Sequence, residues 1–326
     1  MMSPSLSTIG VLTSGGDASG MNAAIRAVTR TALYHGVQVI GILNGFDGLI
    51  NGEFRPLGAR DVGGILPRGG TILQTRRSER FFEAHYQREA IRHLNEAGIE
   101  GLIVIGGEGS MHGAYALSQQ GVRVVGIPAS IDNDIWGTNM SIGVDTALNT
   151  IMDAVDKLRD TASSHNRAFL IETMGRGCGY LAVMAGIICG AEMVLIPEVE
   201  TKVEEVIAAV EDAYRRGKAH AIILVAEGAS IKIHDLAQAI DQADVGFKTR
   251  ITILGHIQRG GSPTAYDRLL ASRMGFKAVE TLLAGEHGVM VGLKGRLMET
   301  VPLSQVIEHQ RAVNMEYYQM ARILAR

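Results

Sequence analysis

The chain has 326 residues, with 31 Lys plus Arg against 34 Asp plus Glu and a formal net charge of −3. That balance removes the positive field on which non-specific nucleic-acid binding and attraction to an anionic membrane surface depend. With 46% hydrophobic and 20% charged residues, intrinsic disorder and fibrous repeats are also excluded, and the length points to about two domains. No apolar run reaches the about 18 residues of a spanning helix. The opening MMSPSLSTIG lacks the basic and apolar regions of a signal peptide, so a cytoplasmic location is expected. Cys178 and Cys189 form neither a C-x-x-C pair nor a disulfide framework.

In chain order, strands are expected at 8–13, 37–43, 101–105, 122–127, 168–173, 192–196, 220–226 and 250–255. Most are nearly continuous apolar runs, the pattern of parallel strands covered on both faces. Helices alternate with them. One spans 20–34, with Met21, Ala24, Ile25, Val28 and Ala32 on one face, and a long one from about 143 to 160 marks a passage between two α/β lobes. The fold class read from this pattern is α/β, two Rossmann-like three-layer lobes with mostly parallel sheets. The chain carries 40 glycines, roughly 12% against an average of about 7%. Many of them follow strands, in SGGDASG, GGEGSMHG, PASIDNDIWGT, MGRGCGY and GHIQRGGSP. Ligands bind beyond the carboxyl ends of parallel strands, so these exits are expected to outline one cleft.

Gly15 and Gly16 would let main-chain N–H groups approach an anion where helix 20–34 begins; a plain strand-to-helix turn reads equally well. Glu108, set among Gly106, Gly107, Gly109 and Ser110, suits a magnesium ion that otherwise keeps phosphates and water, or else simply caps a helix. In Ser130-Ile131-Asp132-Asn133-Asp134 two carboxylates stand two residues apart in a loop with no adjacent Arg or Lys. That placement suits a proton acceptor beside a metal partner, with a surface Asx turn as the alternative. Arg76, Arg77, Arg167, Arg176, Arg250 and Arg259 recur beside glycines or strand ends, as clamps on more than one phosphate would. A metal carboxylate, an aspartate base and two phosphate zones together indicate phosphoryl transfer.

LTSGGDASGMNAAIR, RGGTILQTRR, VIGGEGS, IDNDIWGT, RDTASSHNR, ETMGRGCGYLA, VAEG and LGHIQRGGSPTAYDRLLASRMG, eight motifs in order, resemble bacterial-type ATP-dependent 6-phosphofructokinases. The resemblance implies a glycolytic kinase that converts fructose 6-phosphate and ATP to fructose 1,6-bisphosphate and ADP with Mg²⁺. It implies a homotetramer whose active sites, in the cleft between lobes, are shared between subunits. By it, Asp132 would be the general base, Ser130 and Asp134 would support the transferring group and the metal, and Arg77 and Arg176 would balance its charge. Gly15, Arg77, Gly107, Glu108, Gly109 and Ser110 would hold ATP, with Glu108 and Asp134 toward the metal. Ser130, Asp132, Met174, Gly175, Arg176, Glu227, His256 and Arg259 would bind the sugar phosphate, joined by Arg167 and Arg250 of a neighbouring subunit. Arg26, Arg30, Arg159, Glu192, Arg216 and Lys218 would take ADP or phosphoenolpyruvate as effector. The lobes would comprise 1–143 plus 258–307, binding ATP and magnesium, and 144–257 plus 308–326, binding fructose 6-phosphate.

Some positions depart from the family pattern. Glu108 stands for Asp, Ala129-Ser130 for Gly-Thr, and Tyr180 for an Asp. If residue 129 required a positive φ, alanine there would cost on the order of 1 kcal/mol. One rival reading is a pyrophosphate-dependent relative, which typically carries Asp at 109 and Lys at 129. The other is a catalytically weakened regulatory subunit.

Overall fold

The computed structural model describes residues 6–325. In chain order the elements are β1 (Thr8–Ser14), α1 (Met21–Tyr34), β2 (Gln38–Ile42), α2 (Gly45–Asn51), β3 (Phe54–Pro56), α3 (Ala84–Glu96), β4 (Gly101–Gly106), α4 (Glu108–Gln119) and β5 (Val124–Pro128). After these come α5 (Val144–His165), β6 (Arg167–Thr173), α6 (Tyr180–Cys189), β7 (Met193–Leu195), α7 (Val203–Arg215), β8 (Ala221–Ala226), α8 (Ile233–Ala243) and β9 (Lys248–Ile253). The chain ends with α9 (Ala265–Leu283), β10 (Val289–Lys294), β11 (Leu297–Pro302), α10 (Leu303–Glu308) and α11 (Met315–Leu324).

Two compact units result. The first comprises residues 1–130, 135–146 and 259–310, the second 131–134, 147–258 and 311–326. In the first, seven strands run in the order β11-β10-β5-β4-β1-β2-β3. The neighbours β2, β1, β4, β5 and β10 pair in parallel, while β3 and β11 close the edges antiparallel. Its core includes Leu12, Leu49, Leu102, Val104, Met111 and Leu117, all without exposure. In the second, β7-β8-β6-β9 is parallel throughout, and Leu170, Ile223, Val225, Leu236 and Ile240 fill the core. The continuous apolar runs are thus strands buried on both faces: every residue of β4 and β8 is buried.

All eight strands expected from the pattern are strands, with ends shifted by one or two residues. The helix expected to stop near 160 continues to His165. Three further strands, β3, β10 and β11, were not among the expected ones, although β10 follows α9, is buried at all but its last residue and pairs in parallel with β5. β3 has three residues, and β11 lies at a sheet edge with a mostly exposed pattern.

The division of the chain departs from the sequence expectation at four places, each with a physical cause. Residues 131–134 join the second unit, where the Arg311 N–H donates to the Asp134 carbonyl at 3.3 Å. Residues 144–146 join the first, because Asp267 holds the Thr146 N–H at 2.8 Å. Gln258 belongs to the second unit, its side-chain oxygen accepting the Met174 N–H at 3.2 Å. Residues 308–310 belong to the first, with Gln310 bridging antiparallel to Ile135.

The first turns of α5 and α9 cap one another. Asp267, fully buried, accepts the N–H of Gly143 at 2.9 Å, the N–H of Thr146 at 2.8 Å and the Thr146 hydroxyl at 2.6 Å. In return the Thr264 hydroxyl donates to Asp145 at 2.5 Å, and the Thr264 N–H donates to the Thr146 hydroxyl at 3.1 Å. Orphan N–H groups of two helix N-termini are thereby satisfied, with carboxylates where the dipoles favour them. Burial pushes the Asp267 carboxyl pKa up against these hydrogen bonds, which pull it down. Replacing Asp267 by Ala leaves three buried donors without an acceptor, and the expected loss of unfolding free energy is about 3 kcal/mol. A urea unfolding series followed by circular dichroism measures it.

Candidate active site

In the first unit, β1 delivers Gly15 and β4 delivers Gly107, and both loops open onto helices. Gly106 is forced by close approach: a Cβ there would lie 2.4 Å from the Ser110 hydroxyl and 2.5 Å from the Ser14 carbonyl. Ser110 is 3% exposed, and its hydroxyl has no hydrogen-bond partner. The same hydroxyl lies 3.4 Å from where a Gly15 Cβ would stand. A buried unpartnered donor among glycine main chain at a helix N-terminus is a feature that a phosphate oxygen satisfies. Gly107 is the N-cap of α4 and Glu108 its first residue. The Glu108 carboxylate, half-buried, has His112 at 4.0 Å. Beyond Gly109 the space is open, with nothing within 4 Å of a Cβ built there.

The surrounding loops are pinned to these two. The Ser19 hydroxyl lies within hydrogen-bond reach of the carbonyls of Arg259, Gly260 and Gly261, at 3.2, 3.1 and 2.9 Å, with one proton to share among them, and the Arg259 Nη1 lies 2.9 Å from the Cβ position of Gly16. The Thr75 hydroxyl donates to the Gly15 carbonyl at 2.8 Å, and the exposed Arg76 and Arg77 follow it in the chain. Asn22, buried on α1, donates to the carbonyls of Arg68 and Gly69 at 3.1 Å each and accepts the Ile72 N–H at 2.8 Å. No spacing in the sequence marks Ser19 and Asn22, because their partners lie far along the chain. Ala129 is not among the residues of positive φ; it bridges in parallel to Ile142, so alanine carries no backbone penalty there.

In the second unit, Asp132 is 4% exposed and its carboxylate lies 3.4 Å from the Arg176 Nε. No arginine adjoins Asp132 in sequence; the fold supplies one. The turn that carries Arg176 is shaped from below by Glu227, which accepts the N–H groups of Gly175 at 3.2 Å and Arg176 at 2.7 Å. Gly175 has φ 140 and Arg176 φ 50. Asn133 is likewise left-handed, at φ 54. Strained backbone at the residues flanking two charged groups is the kind of conformation that surrounding structure must hold. Met174 is buried, Gln258 fixing its N–H. Cys178 is buried in the same turn, and desolvation pushes its thiol up to about 11, so it remains a neutral packing group.

Other candidates are more dispersed. Arg167 opens β6, and Arg250, exposed on β9, pairs across the sheet with Phe169 rather than with Arg167. His256 is exposed in the short 3₁₀ turn Gly255–Gln258. Glu192 accepts from Lys218 at 2.9 Å, Arg216 pairs with Asp212 at 2.9 Å, and Arg159 donates to the Cys189 carbonyl. On α1, Arg26 is half-buried and Arg30 exposed, and among the described residues neither forms an ion pair. Among the described residues no cluster of three or more His, Cys, Asp or Glu is placed to hold a metal ion by itself.

The phosphofructokinase family matches residues 8–282 of the chain. The chain is 51% identical over 318 residues to the ATP-dependent 6-phosphofructokinase of Thermotoga neapolitana, covering 97% of this chain and 99% of that one. To the ATP-dependent 6-phosphofructokinase of Halalkalibacterium halodurans it is 49% identical over 317 residues, with the same coverage. The crystal structure of Pichia pastoris phosphofructokinase in the T-state superposes with a TM-score of 0.89 at 34% identity, over 93% of this chain and 35% of that much longer one. With the family spanning most of its length and half of its residues shared with two full-length relatives, this chain belongs to the phosphofructokinase family.

Proposed function

We infer that the protein transfers the γ-phosphoryl group of ATP to the 1-hydroxyl of fructose 6-phosphate, giving fructose 1,6-bisphosphate and ADP. The observation that carries the reading is Asp132, almost fully buried with Arg176 3.4 Å from its carboxylate, on a loop whose neighbouring turn is fixed by main-chain hydrogen bonds to Glu227. Asp132 takes the proton from the sugar 1-hydroxyl. Arg176, 3.4 Å from that carboxylate, orients it, and with Arg77 offsets the charge that develops on the transferring group. Ser130 and Asp134 support the same group from either side of the base in sequence.

ATP is held by Gly15, Gly107, Glu108, Gly109 and Ser110, the Ser110 hydroxyl donating to a phosphate oxygen. The sugar phosphate is bound by Met174, Gly175, Glu227, His256 and Arg259, with Arg167 and Arg250 reaching a neighbouring subunit's substrate in a homotetramer. Glu108, the first residue of α4, and Asp134 would each offer a carboxylate oxygen to magnesium, which otherwise keeps phosphates and water. When bound, magnesium supplies positive charge to the ATP phosphates. The proposed setting is the cytoplasm, in glycolysis. Among the described residues no helix is long and apolar enough to cross a membrane.

Exchanging Asp132 for Asn should lower kcat by at least about 10² with both KM values within a few-fold, because a general base acts in the transition state. Steady-state kinetics in a coupled assay decide it, and a variant retaining more than a third of the wild-type kcat removes Asp132 from the role. Donor choice is the second test. The open space beyond Gly109 and the small, unstrained Ala129 leave room for a nucleotide's α-phosphate, so ATP should exceed pyrophosphate in kcat/KM by orders of magnitude. Comparable values would favour the pyrophosphate-dependent reading.

Regulation is proposed through Arg26, Arg30, Arg159, Glu192, Arg216 and Lys218. Arg26 and Arg30 stand one turn apart on α1 and repel by a few tenths of a kcal/mol unless an anion lies between them. The Arg159 Nε is buried without a hydrogen-bond partner. Phosphoenolpyruvate should therefore shift the fructose 6-phosphate half-saturation modestly through its differential affinity for two states, and replacing Arg26 and Arg30 together by Ala should abolish the shift without lowering kcat. A hyperbolic curve unmoved by millimolar phosphoenolpyruvate or ADP would make the pair an ordinary solvated face.

A further inference from the structure

Arg311 has no part in the groups assigned so far. It lies between α10 and α11, half-buried, with its guanidinium carbon 5.5 Å from the centroid of the Tyr180 ring. Its main-chain N–H donates to the Asp134 carbonyl at 3.3 Å. Two residues on, the Val313 N–H donates to the Glu198 carboxylate at 3.3 Å, and that same carboxylate accepts the Gly179 N–H at 3.0 and 3.1 Å. The short stretch 311–313 thus touches both the loop that carries Asp132 and the turn, ending at Tyr180, that carries Arg176. Burial pulls the Arg311 pKa down, while the neighbouring Tyr180, Cys178, Asp134 and Tyr317 hold it up; a guanidinium in that setting stays charged.

We propose that Arg311 is a positioning residue for phosphoryl transfer, fixing the loop 131–134 against the turn 174–180 through Asp134 and Tyr180 and so setting Asp132 relative to Arg176. The proposal rests on the reading of Asp132 as the base. It also gives Tyr180 a purpose. The neutral ring holds the Arg311 cation by its face, while the main-chain N–H of the same residue holds the Asp134 carbonyl. Geometry matters here because misplacing a reacting group by about 1 Å costs up to about 10² in rate.

The test compares Arg311→Ala, Arg311→Lys, Tyr180→Ala and Tyr180→Phe with the full-length enzyme, measuring kcat and both KM values with fructose 6-phosphate and ATP alongside thermal midpoints. Arg311→Ala should lower kcat about tenfold, with KM values within twofold and the midpoint nearly unchanged. Arg311→Lys should recover part of the loss. Tyr180→Ala should fall in the same direction, Tyr180→Phe should stay within twofold of wild type, and the double alanine variant should be no slower than Arg311→Ala, since both changes break one linkage. A kcat for Arg311→Ala within twofold of wild type, or single effects that multiply in the double variant, would overturn the proposal. Should Arg311→Ala fail to fold, Tyr180→Ala equal to Tyr180→Phe in kcat would overturn it as well. An Asp132→Asn enzyme that stays active would instead remove the base assignment, and leave the Arg311–Tyr180 coupling to be judged on its own cycle.

Discussion

The mutual capping of α5 and α9 is the constraint on which the rest of the first unit turns. Asp267 satisfies the first turn of a helix whose own Asp145 and Thr146 satisfy the approach to Asp267. Neither N-terminus could be buried without the other. α5 carries the chain from the first unit into the second, and α9 packs on α1 so closely that a Cβ on Gly275 would meet the Ala24 carbonyl at 2.8 Å. One buried carboxylate therefore fixes where a long helix starts and how α9, and with it the preceding Arg259 to Gly261 loop, is anchored. That loop is then tied back to Ser19, next to the glycines proposed to hold phosphate.

Main-chain hydrogen bonds, more than side-chain ion pairs, shape the candidate site. Glu227 and Glu198 spend their carboxylates on the N–H groups of residues 175, 176, 179 and 313. Carboxylates that accept from main chain fix the path of a loop, whereas ion pairs with long side chains fix only the side chains. Such bracing offsets the cost, on the order of 1 kcal/mol, of left-handed Arg176. The result is a general-base candidate and its arginine presented on strained loops by rigid parallel strands, an arrangement that keeps flexibility out of the reacting groups.

Each departure from the family pattern has a different physical standing. Ala129 is harmless because its backbone is not left-handed. Tyr180 is buried at the head of α6, under the Arg311 guanidinium, and so has acquired a cationic partner. Glu108 keeps a carboxylate at the first position of α4, one methylene further out than an Asp would place it.

What the sequence determined by itself was the local and the periodic. Strand cores such as AIILVA and GLIVI, the α1 face and the glycine-rich strand exits were legible because burial on both faces of a parallel sheet leaves an apolar run, and because a close main-chain approach tolerates only glycine. Gly15, Gly107, Asp132 and Arg176 could be singled out for the same reason, each standing in or beside such an exit. The edge strands β3 and β11 were not legible, since a three-residue or half-exposed strand carries no distinct period. Nor was any pairing across long separations. That Arg176 would face Asp132, that Asp267 would cap a helix begun over a hundred residues earlier, and that Arg311 would lie over Tyr180 are decided by which surfaces the folded sheets and helices bring together. Polar contacts of that kind leave no spacing in the chain, because only the three-dimensional packing sets the distance between their partners.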